Sequence, residues 1–447
     1  MYKTLRALLV ITFAFKCSLL KAEIIAFENV NLITMEEDKL LHQYRVITDD
    51  DKIVDISPMA KPGKIIANRI INCAGKYLMP GLTDAHFHPR GAKTLQDMQL
   101  FYKLLIANGI TTVVSMGEDA GQDAIATREY ANNKSNLAPF YFTAGPLLGS
   151  EDLKTPADAI TTVKYHKKRG YDFIKVHEDF PKEVYFTLLR EAQQAGIPVV
   201  GHAQRSLPLE YSLRLNLIVH MEEIVDIYSD MKNFLIADIT AQQARDIAAQ
   251  VKASGIYISP TLTVLAKIQD YRDDGRFNAL KSRSESRYLT KQEFENYTTE
   301  DQEYRQELFK RPNIIAAVDL LVTGTQTLTK AFYEAGVSML VGSDNIGLQV
   351  TGFSIHEEME AMNKAGMSTF AVLNSATLIS ARYLKRQAIA GTISVGKNAE
   401  FILLAENPLS DIRHTRNLQG VMLKGKWFDK KALEQMLVDV ENGRREK

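Results

Sequence analysis

The feature that most constrains this chain is a repeated alternation of short apolar runs with helical segments. After Pro80 the apolar runs recur at intervals of roughly 25–40 residues, as in βαβ units. Eight of them are strand candidates, at positions 82–88, 111–116, 141–147, 172–177, 197–203, 217–222, 256–263 and 338–344. Eight parallel strands are the number that closes a (β/α)8 barrel. The sequence therefore predicts an α/β fold with a TIM-like barrel over residues 80–389.

Both ends of the chain have a different pattern, in which short apolar runs are broken by Asn, Asp and Gly turn signals. Near the start these are "EIIAFENVNLITM" and "YRVITDDDKIVDIS", and near the end "GTISVGKNAEFILLAENPL". Such runs are typical of β-strands joined by hairpin turns. Because sheets need partner strands, residues 23–79 and 390–447 are predicted to pair into one small β-sandwich domain.

Residues 1–22, "MYKTLRALLVITFAFKCSLLKA", combine a basic start with an apolar stretch too short to span a bilayer. This pattern favours a secretory signal peptide and an exported, periplasmic or secreted protein with no stable membrane span after cleavage. Lys16 and Lys21 are unusual in a signal peptide, so an uncleaved anchor or a buried helix stays an alternative.

Composition excludes several other classes of protein. The chain has 54 basic and 54 acidic residues, and four of the basic ones lie in residues 1–22, so the remainder has 50 against 54. This slight negative balance argues against a nucleic-acid-binding surface. Beyond residue 22 Cys73 is the only cysteine, which excludes an intramolecular disulfide and a thiolate metal cluster. Any metal must be bound by nitrogen and oxygen atoms.

A charged helical insertion at about 266–315 separates the seventh and eighth strand candidates. It has few core positions, and two interpretations stay open: a solvated helical hairpin, or a lid over the barrel mouth.

The stretch "LMPGLTDAHFHPRG" ends the first barrel strand with two histidines one residue apart, His86 and His88. Side chains alternate along a strand, so both histidines point to the same side and could share a cation. Alone, this pair of histidines is weak evidence for a metal site. Further polar residues follow at other strand ends: Lys175, His177, His202, His220 and Asp344. Barrel enzymes place their sites at these carboxyl ends, and the convergence predicts a metal site.

Lys175 is unusual in this set, because a buried ammonium loses solvation and repels cations. A structural interpretation requires an ion-pair partner or a side chain that reaches out to solvent. If the amine instead carries CO2 as a carbamate, Lys175 becomes a carboxylate that can bridge two cations.

The order HxH, Lys, His, His, Asp resembles the amidohydrolase superfamily, in the subtype with two metal ions bridged by a carboxylated lysine. The resemblance extends over essentially the whole mature chain. The stretches "DFIKVHED", "GHAQRSLPLEYSLRLNLIVHMEEI" and "VGSDN" are similar to the imidazolonepropionase-like branch, which includes metal-dependent Xaa-Pro dipeptidases and carboxypeptidases. Two departures are Glu400, where the family commonly has Asp, and the long insertion before Asp344.

The resemblance implies that His86, His88 and Asp344 bind the buried metal. His202 and His220 would bind the outer one, and N6-carboxylysine at Lys175 would bridge both. Zn is the default metal, with Mn or Co as alternatives. A hydroxide shared by the two ions would attack the carbonyl, with Asp344 as general base and then general acid.

The favoured substrate is a small molecule with an amide bond: a dipeptide, Xaa-Pro or with a related C-terminal residue, or an N-acyl amino acid. Arg205 and Tyr228 are candidates for binding its carboxylate, although a surface arginine and a packed tyrosine are the favoured explanations of these two residues. His177 either lines the site or has a structural role. The sequence leaves open whether the protein forms a homo-oligomer.

Two alternatives remain. Lactone or phosphotriester hydrolysis uses the same kind of metal centre, so the sequence does not decide the bond. A non-catalytic barrel scaffold is disfavoured because no ligand position is missing.

Overall fold

The computed structural model describes residues 23–119, 121–233, 235–298, 309–311 and 313–445. The predicted signal peptide, residues 1–22, lies outside the described residues. Within them, no helix has both the length and the apolar character needed to cross a bilayer.

The strands are numbered in chain order. They are β1 Ile24–Leu32, β2 Leu41–Asp49, β3 Lys52–Pro58, β4 Arg69–Asn72, β5 Tyr77–Pro80, β6 Leu82–Phe87, β7 Ile110–Ser115, β8 Phe140–Thr143, β9 Leu147–Leu148, β10 Ile174–Val176, β11 Val199–Gly201, β12 Leu217–Val219, β13 Tyr257–Ser259, β14 Phe401–Leu404, β15 Leu418–Leu423 and β16 Lys426–Asp429.

Most of the helices lie between the strands from β6 onwards. The α-helices are Leu95–Ala107, Ala124–Asn132, Pro156–Arg169, Lys182–Ala195, Leu209–Ser212, Glu222–Ile227, Ala241–Ser254, Leu262–Tyr271, Asp274–Ser282, Lys291–Thr298, Ile314–Glu334, Phe353–Lys364, Thr369–Ser375, Leu378–Tyr383 and Lys430–Arg445, with 3-10 turns at Ser284–Tyr288 and Ile412–Arg416.

Strands from the two ends of the chain form one eight-stranded sheet. Its order is β16-β15-β14-β5-β1-β2-β3, with β4 also paired to β1. The junction is the antiparallel pair of β14 with β5, where Phe401 lies opposite Pro80. Apolar side chains from both ends, among them Phe27, Leu78 and Phe401, form a separate core on this sheet. The predicted pairing of the two ends is therefore present in the structure.

The middle of the chain contains two parallel sheets. One has the order β6-β7-β8 and the other the order β13-β12-β11-β10-β9. The α/β class with parallel strands is as predicted. The predicted strand 141–147 is interrupted, because Gly145 has a positive φ of 68° between β8 and β9.

The predicted eighth strand at 338–344 is not a regular strand in the structure. Its one ladder contact is an isolated bridge between Ile258 and Met339. Backbone hydrogen bonds still connect the segment to both neighbours: Ile258 N in β13 donates to Ser338 O, Leu340 N donates to Ile258 O, and Ala85 N in β6 donates to Val341 O. The segment therefore lies between β13 and β6.

Helix boundaries in this region follow local chemistry. Thr155 caps Pro156–Arg169 with a capping box, and Gly170 ends that helix in the left-handed conformation at φ 82°. Gly196 ends Lys182–Ala195 in the same way, at φ 69°. These stops place β10 and β11 next to each other with Lys175 opposite Val200.

Candidate metal centre

His86, His88 and Asp344 form the tightest polar group in the parallel-sheet region. His86 Nε2 lies 3.1 Å from His88 Nε2. Asp344 Oδ1 lies 3.5 Å from the first of these nitrogens and 3.3 Å from the second. One ligand atom from each residue falls within 4.8 Å of the others. This spacing and donor set fit a divalent cation that prefers imidazole and carboxylate ligands.

The electrostatics of this group agree with metal binding. Burial opposes ionisation of Asp344, but His86, His88 and His220 around it hold the pKa of its carboxyl well below the usual value. Burial also lowers the pKa of His86 well below normal. The site therefore contains a carboxylate and neutral imidazoles, which are the protonation states that bind metals.

His202 and His220 form the other side of the site, with ring centroids 4.7 Å apart. His202 Nδ1 lies 2.7 Å from Glu223 Oε1 and donates to this carboxylate. His220 Nδ1 lies 2.7 Å from Thr261 Oγ1, whose own proton goes to Pro260 O. Both Nδ1 atoms therefore carry the ring proton, which leaves each Nε2 free to bind a cation.

Lys175 lies between these two groups on β10. Its side chain is 1% exposed, and its Nζ has no hydrogen-bond partner among the described residues. Burial lowers the pKa of the amine to about 8, although Asp344 and Glu223 oppose the shift. Neither structural explanation from the sequence holds for the described residues, because Lys175 neither reaches solvent nor has a hydrogen-bonded ion-pair partner.

Three residues of the site have left-handed backbone: His220 at φ 70°, Thr261 at φ 50° and Asp344 at φ 40°. A positive φ in a non-glycine residue costs about 1–3 kcal/mol and is often found at functional sites. These turns end the strands at the site. The predicted strands 217–222 and 256–263 accordingly stop at Val219 and Ser259.

Hydrogen bonds around the site fix the position of β6 relative to the segment that carries Asp344. The buried Asp84 carboxylate accepts from Ser343 Oγ at 2.6 Å and from the backbone N atoms of Ser343 and His86. The Asn345 side chain accepts from His88 N and donates to His88 O, both at 2.9 Å. The first ligand strand and the segment that carries Asp344 are thus tied together on both sides of the ligands.

These groups surround a cavity of about 240 Å³. The predicted residues on its wall are His86, His88, Lys175, His177, His202, His220 and Asp344. His177 packs on His202 with ring centroids 4.5 Å apart. Arg90 and Glu222 also line the cavity, and sequence reasoning missed both. The signal for Arg90 was available, because it follows His88 by two residues.

Arg205 and Tyr228 are not on this wall. Arg205 Nε lies 3.3 Å from Glu223 Oε2, on the far side of the carboxylate that orients His202. Tyr228 follows the helix Glu222–Ile227 and is 42% exposed. Substrate binding by these two residues stays a prediction.

Residues 77–428 match the amidohydrolase family. The chain belongs to the amidohydrolase family. This match confirms the family resemblance drawn from the order of ligands along the chain, and the likeness extends to the solved structures. The chain resembles the solved structure of a Xaa-Pro dipeptidase with bound methionine in its active site. The two share 19% identity and a TM-score of 0.67, over 91% of this chain and 100% of the other.

Two further proteins match this chain over different shares of its length. A bottromycin amidohydrolase aligns at 21% identity and a TM-score of 0.70, over 94% of this chain and 90% of the other. An adenine deaminase of Clostridium perfringens is 25% identical over 163 residues, 34% of this chain. That match spans only 28% of the deaminase.

Proposed function

We propose that this protein is an exported, binuclear metal-dependent amidohydrolase. Its substrate would be a dipeptide, Xaa-Pro or with a related C-terminal residue, or an N-acyl amino acid. The observation that carries the proposal is the convergence of four histidines, Lys175 and Asp344 on one cavity at the strand ends. The family match over residues 77–428 supports a hydrolase acting on carbon–nitrogen bonds.

The residues present fit two metal ions. His86, His88 and Asp344 would hold one ion, and His202 and His220 the other. Lys175 would hold both after its neutral amine takes up CO2, forming an N–C bond and releasing one proton. The buried amine without a partner and its lowered pKa favour this reaction. When bound, the metals would polarise the carbonyl and lower the pKa of water from ~15.7 towards ~7.

Asp344 is placed to move the proton. Its carboxylate lies at the centre of the histidines and is ionised, so it can accept a proton from water during attack. It would then give the proton to the leaving amine, which departs neutral. The bond between the neighbouring Asn345 and the His88 backbone fixes the segment that carries the carboxylate, which reduces the reorganisation needed for transfer.

Arg90 is the cation that the cavity offers to a substrate carboxylate. It lines the cavity, is exposed and has no ion-pair partner among the described residues. Arg205 is already paired with Glu223. The proposal therefore assigns the substrate carboxylate to Arg90.

Two finer features of the architecture belong to the proposal. Backbone hydrogen bonds between the segment 338–344 and both neighbouring sheets, and from Asp172 N to Thr143 O, support closure of the parallel strands into a barrel. The separate core on the eight-stranded sheet supports a sandwich formed by 23–79 and 390–447. We also propose export, and a lid role for the insertion at 266–315, of which residues 299–308 and 312 lie outside the described residues.

Amine release from a panel of Xaa-Pro dipeptides, other dipeptides and N-acyl amino acids tests the activity, using protein loaded with Zn, Mn or Co. Asp344→Asn should lower kcat by at least about 10³-fold, since it removes the proton acceptor. Asp246→Asn, on the exposed face of Ala241–Ser254, is the matched control. Cleavage of lactones or phosphotriesters with no amine release from any amide would refute the proposal.

A further inference from the structure

Thr261 lies at a turn between β13 and the helix Leu262–Tyr271, and its hydroxyl serves His220. Thr261 Oγ1 lies 2.7 Å from His220 Nδ1 and donates its own proton to Pro260 O at 2.8 Å. Its backbone is left-handed, at φ 50° and ψ 42°. This conformation is rare for a residue branched at Cβ. The orientation of the His220 ring therefore depends on a turn that the local sequence disfavours.

The hydroxyl of Thr261 is not used by the helix that follows it. Thr261 is the N-cap residue of Leu262–Tyr271, but within the described residues its side chain forms no capping bond. Thr94, Thr155 and Thr240 do cap their helices, each from extended backbone. Such a bond satisfies one of the first N–H groups of a helix, which have no partner within it. The helix after Thr261 therefore needs an acceptor from elsewhere.

Glu358 supplies this acceptor from the helix Phe353–Lys364. Its Oε1 accepts from Leu262 N at 3.0 Å, and its Oε2 accepts from Thr263 N at 2.9 Å and from Thr263 Oγ1 at 3.1 Å. The Glu358 side chain is fully buried. A carboxylate at a helix N-terminus also interacts favourably with the helix dipole. Glu358 thus caps the helix in place of Thr261.

We propose that Glu358 is a positioning residue for the outer metal ion, the one that His202 and His220 would hold. By capping the helix, Glu358 leaves the Thr261 hydroxyl free to accept the Nδ1 proton of His220. Without Glu358, the turn would relax to extended backbone and Thr261 would cap its own helix, because this removes both the strain and the unpaired N–H groups. His220 would then lose the acceptor that fixes its ring. This inference rests on the proposed function, since it concerns one of the two proposed ions.

Calorimetric titration of the metal-free protein with chelator-buffered Zn²⁺, in CO2-equilibrated buffer, tests this role. We choose pH 8, above the pKa of about 7 that burial gives Glu358. Wild type should show two binding events, and the event that weakens in His220→Asn is that of the outer ion. Glu358→Met should weaken this event about 10–100-fold, the loss typical of residues that orient a metal ligand, and leave the other event unchanged. Glu358→Gln keeps one accepting oxygen and replaces Glu358→Met if that variant folds poorly.

Two further variants separate positioning from general destabilisation. Glu360→Gln changes a partly exposed carboxylate on the same helix, which pairs with Arg416 at 2.8 Å, and should bind both ions as wild type does. Thr261→Val removes the acceptor of His220 directly and should weaken the same event as Glu358→Met. Because both changes act through one contact, the double variant should bind the outer ion no more weakly than Thr261→Val alone.

An equal loss for both ions in Glu358→Met, no loss for either, or losses that add in the double variant would overturn the positioning role. If wild type binds fewer than two ions, the binuclear centre of the proposed function fails, and ¹⁵N NMR of the metal-free protein decides the role of Glu358 separately. The His220 Nδ1–H signal, identified by its absence in His220→Asn, should exchange with water at least about tenfold faster in Glu358→Met. An equal exchange rate, or no such signal in wild type, overturns the role.

Discussion

A buried ion pair joins the sheet formed by the chain ends to the parallel strands. Arg386 Nη2 bonds both oxygens of Glu400, at 2.8 and 3.0 Å, and Nη1 donates to Thr112 Oγ1 in β7 at 2.8 Å. The guanidinium lies 4.1 Å from the Phe140 ring centre. The side chains are only 10% and 5% exposed. We expect the loss of one partner to cost far more here than at a surface pair, because the charge that remains cannot be rehydrated in the folded protein.

Arg386→Met keeps the apolar volume and leaves the Glu400 carboxylate buried, with Asn398 Nδ2 at 2.6 Å as its remaining side-chain donor. Removing one partner of a buried pair costs about 3–5 kcal/mol, against a total stability of about 5–15 kcal/mol. Arg386→Met with Glu400→Met removes both charges and should recover most of this loss. Urea unfolding measures the midpoints.

Arg413→Met is the matched control, because Arg413 pairs with Asp411 at the surface and is 71% exposed. It should change stability by less than about 1 kcal/mol. The reasoning is refuted if Arg386→Met costs less than about 1 kcal/mol, or if the double variant is as unstable as the single one.

Further expectations concern the site and its surroundings. Lys175→Ala should lower kcat at least about 10²-fold, and added acetate should partly restore it. Carbon NMR should detect incorporation of ¹³CO2 only in the wild type. An active enzyme without a carbamate would contradict the proposed role of Lys175. Arg90→Ala should raise KM for a carboxylate substrate about tenfold or more, and a larger rise in Arg205→Ala would reverse the assignment. Burial raises the pKa of Glu358 to about 7. The folded state therefore holds this proton more tightly than the unfolded chain does. The free energy of unfolding should fall as pH rises from about 4.5 to 7. Glu358→Gln should flatten the fall in Tm between pH 5 and pH 8, and an unchanged slope would exclude Glu358 as its source.

Features that depend on nearby residues were predictable from the sequence. The cap at Thr155 and the stops at Gly170 and Gly196 lie where predicted, since capping and left-handed glycine are local effects. Strand positions were also readable from apolar runs. Strand lengths were overestimated, because apolar residues continue past His220 and Thr261 while the backbone turns there.

The convergence of the candidate ligands on one cavity was predictable, because the apolar runs that carry them could be read from the sequence. The residues that orient them were not, since they come from other elements. Glu223 is 21 residues from His202, and Thr261 is 41 residues from His220. Residues so far apart in the sequence show no periodic pattern that would pair them. Only the packing of the folded chain brings them together.

The hydrogen bonds between Asn345 and His88 have a consequence for the order of events during synthesis. The two residues are 257 positions apart, yet one amide side chain bonds both the backbone N–H and the carbonyl of His88. While the ribosome has made only the first third of the chain, His86 and His88 offer a cation two nitrogens and no carboxylate. The three-residue group can form only once Asp344 and Asn345 have emerged from the ribosome.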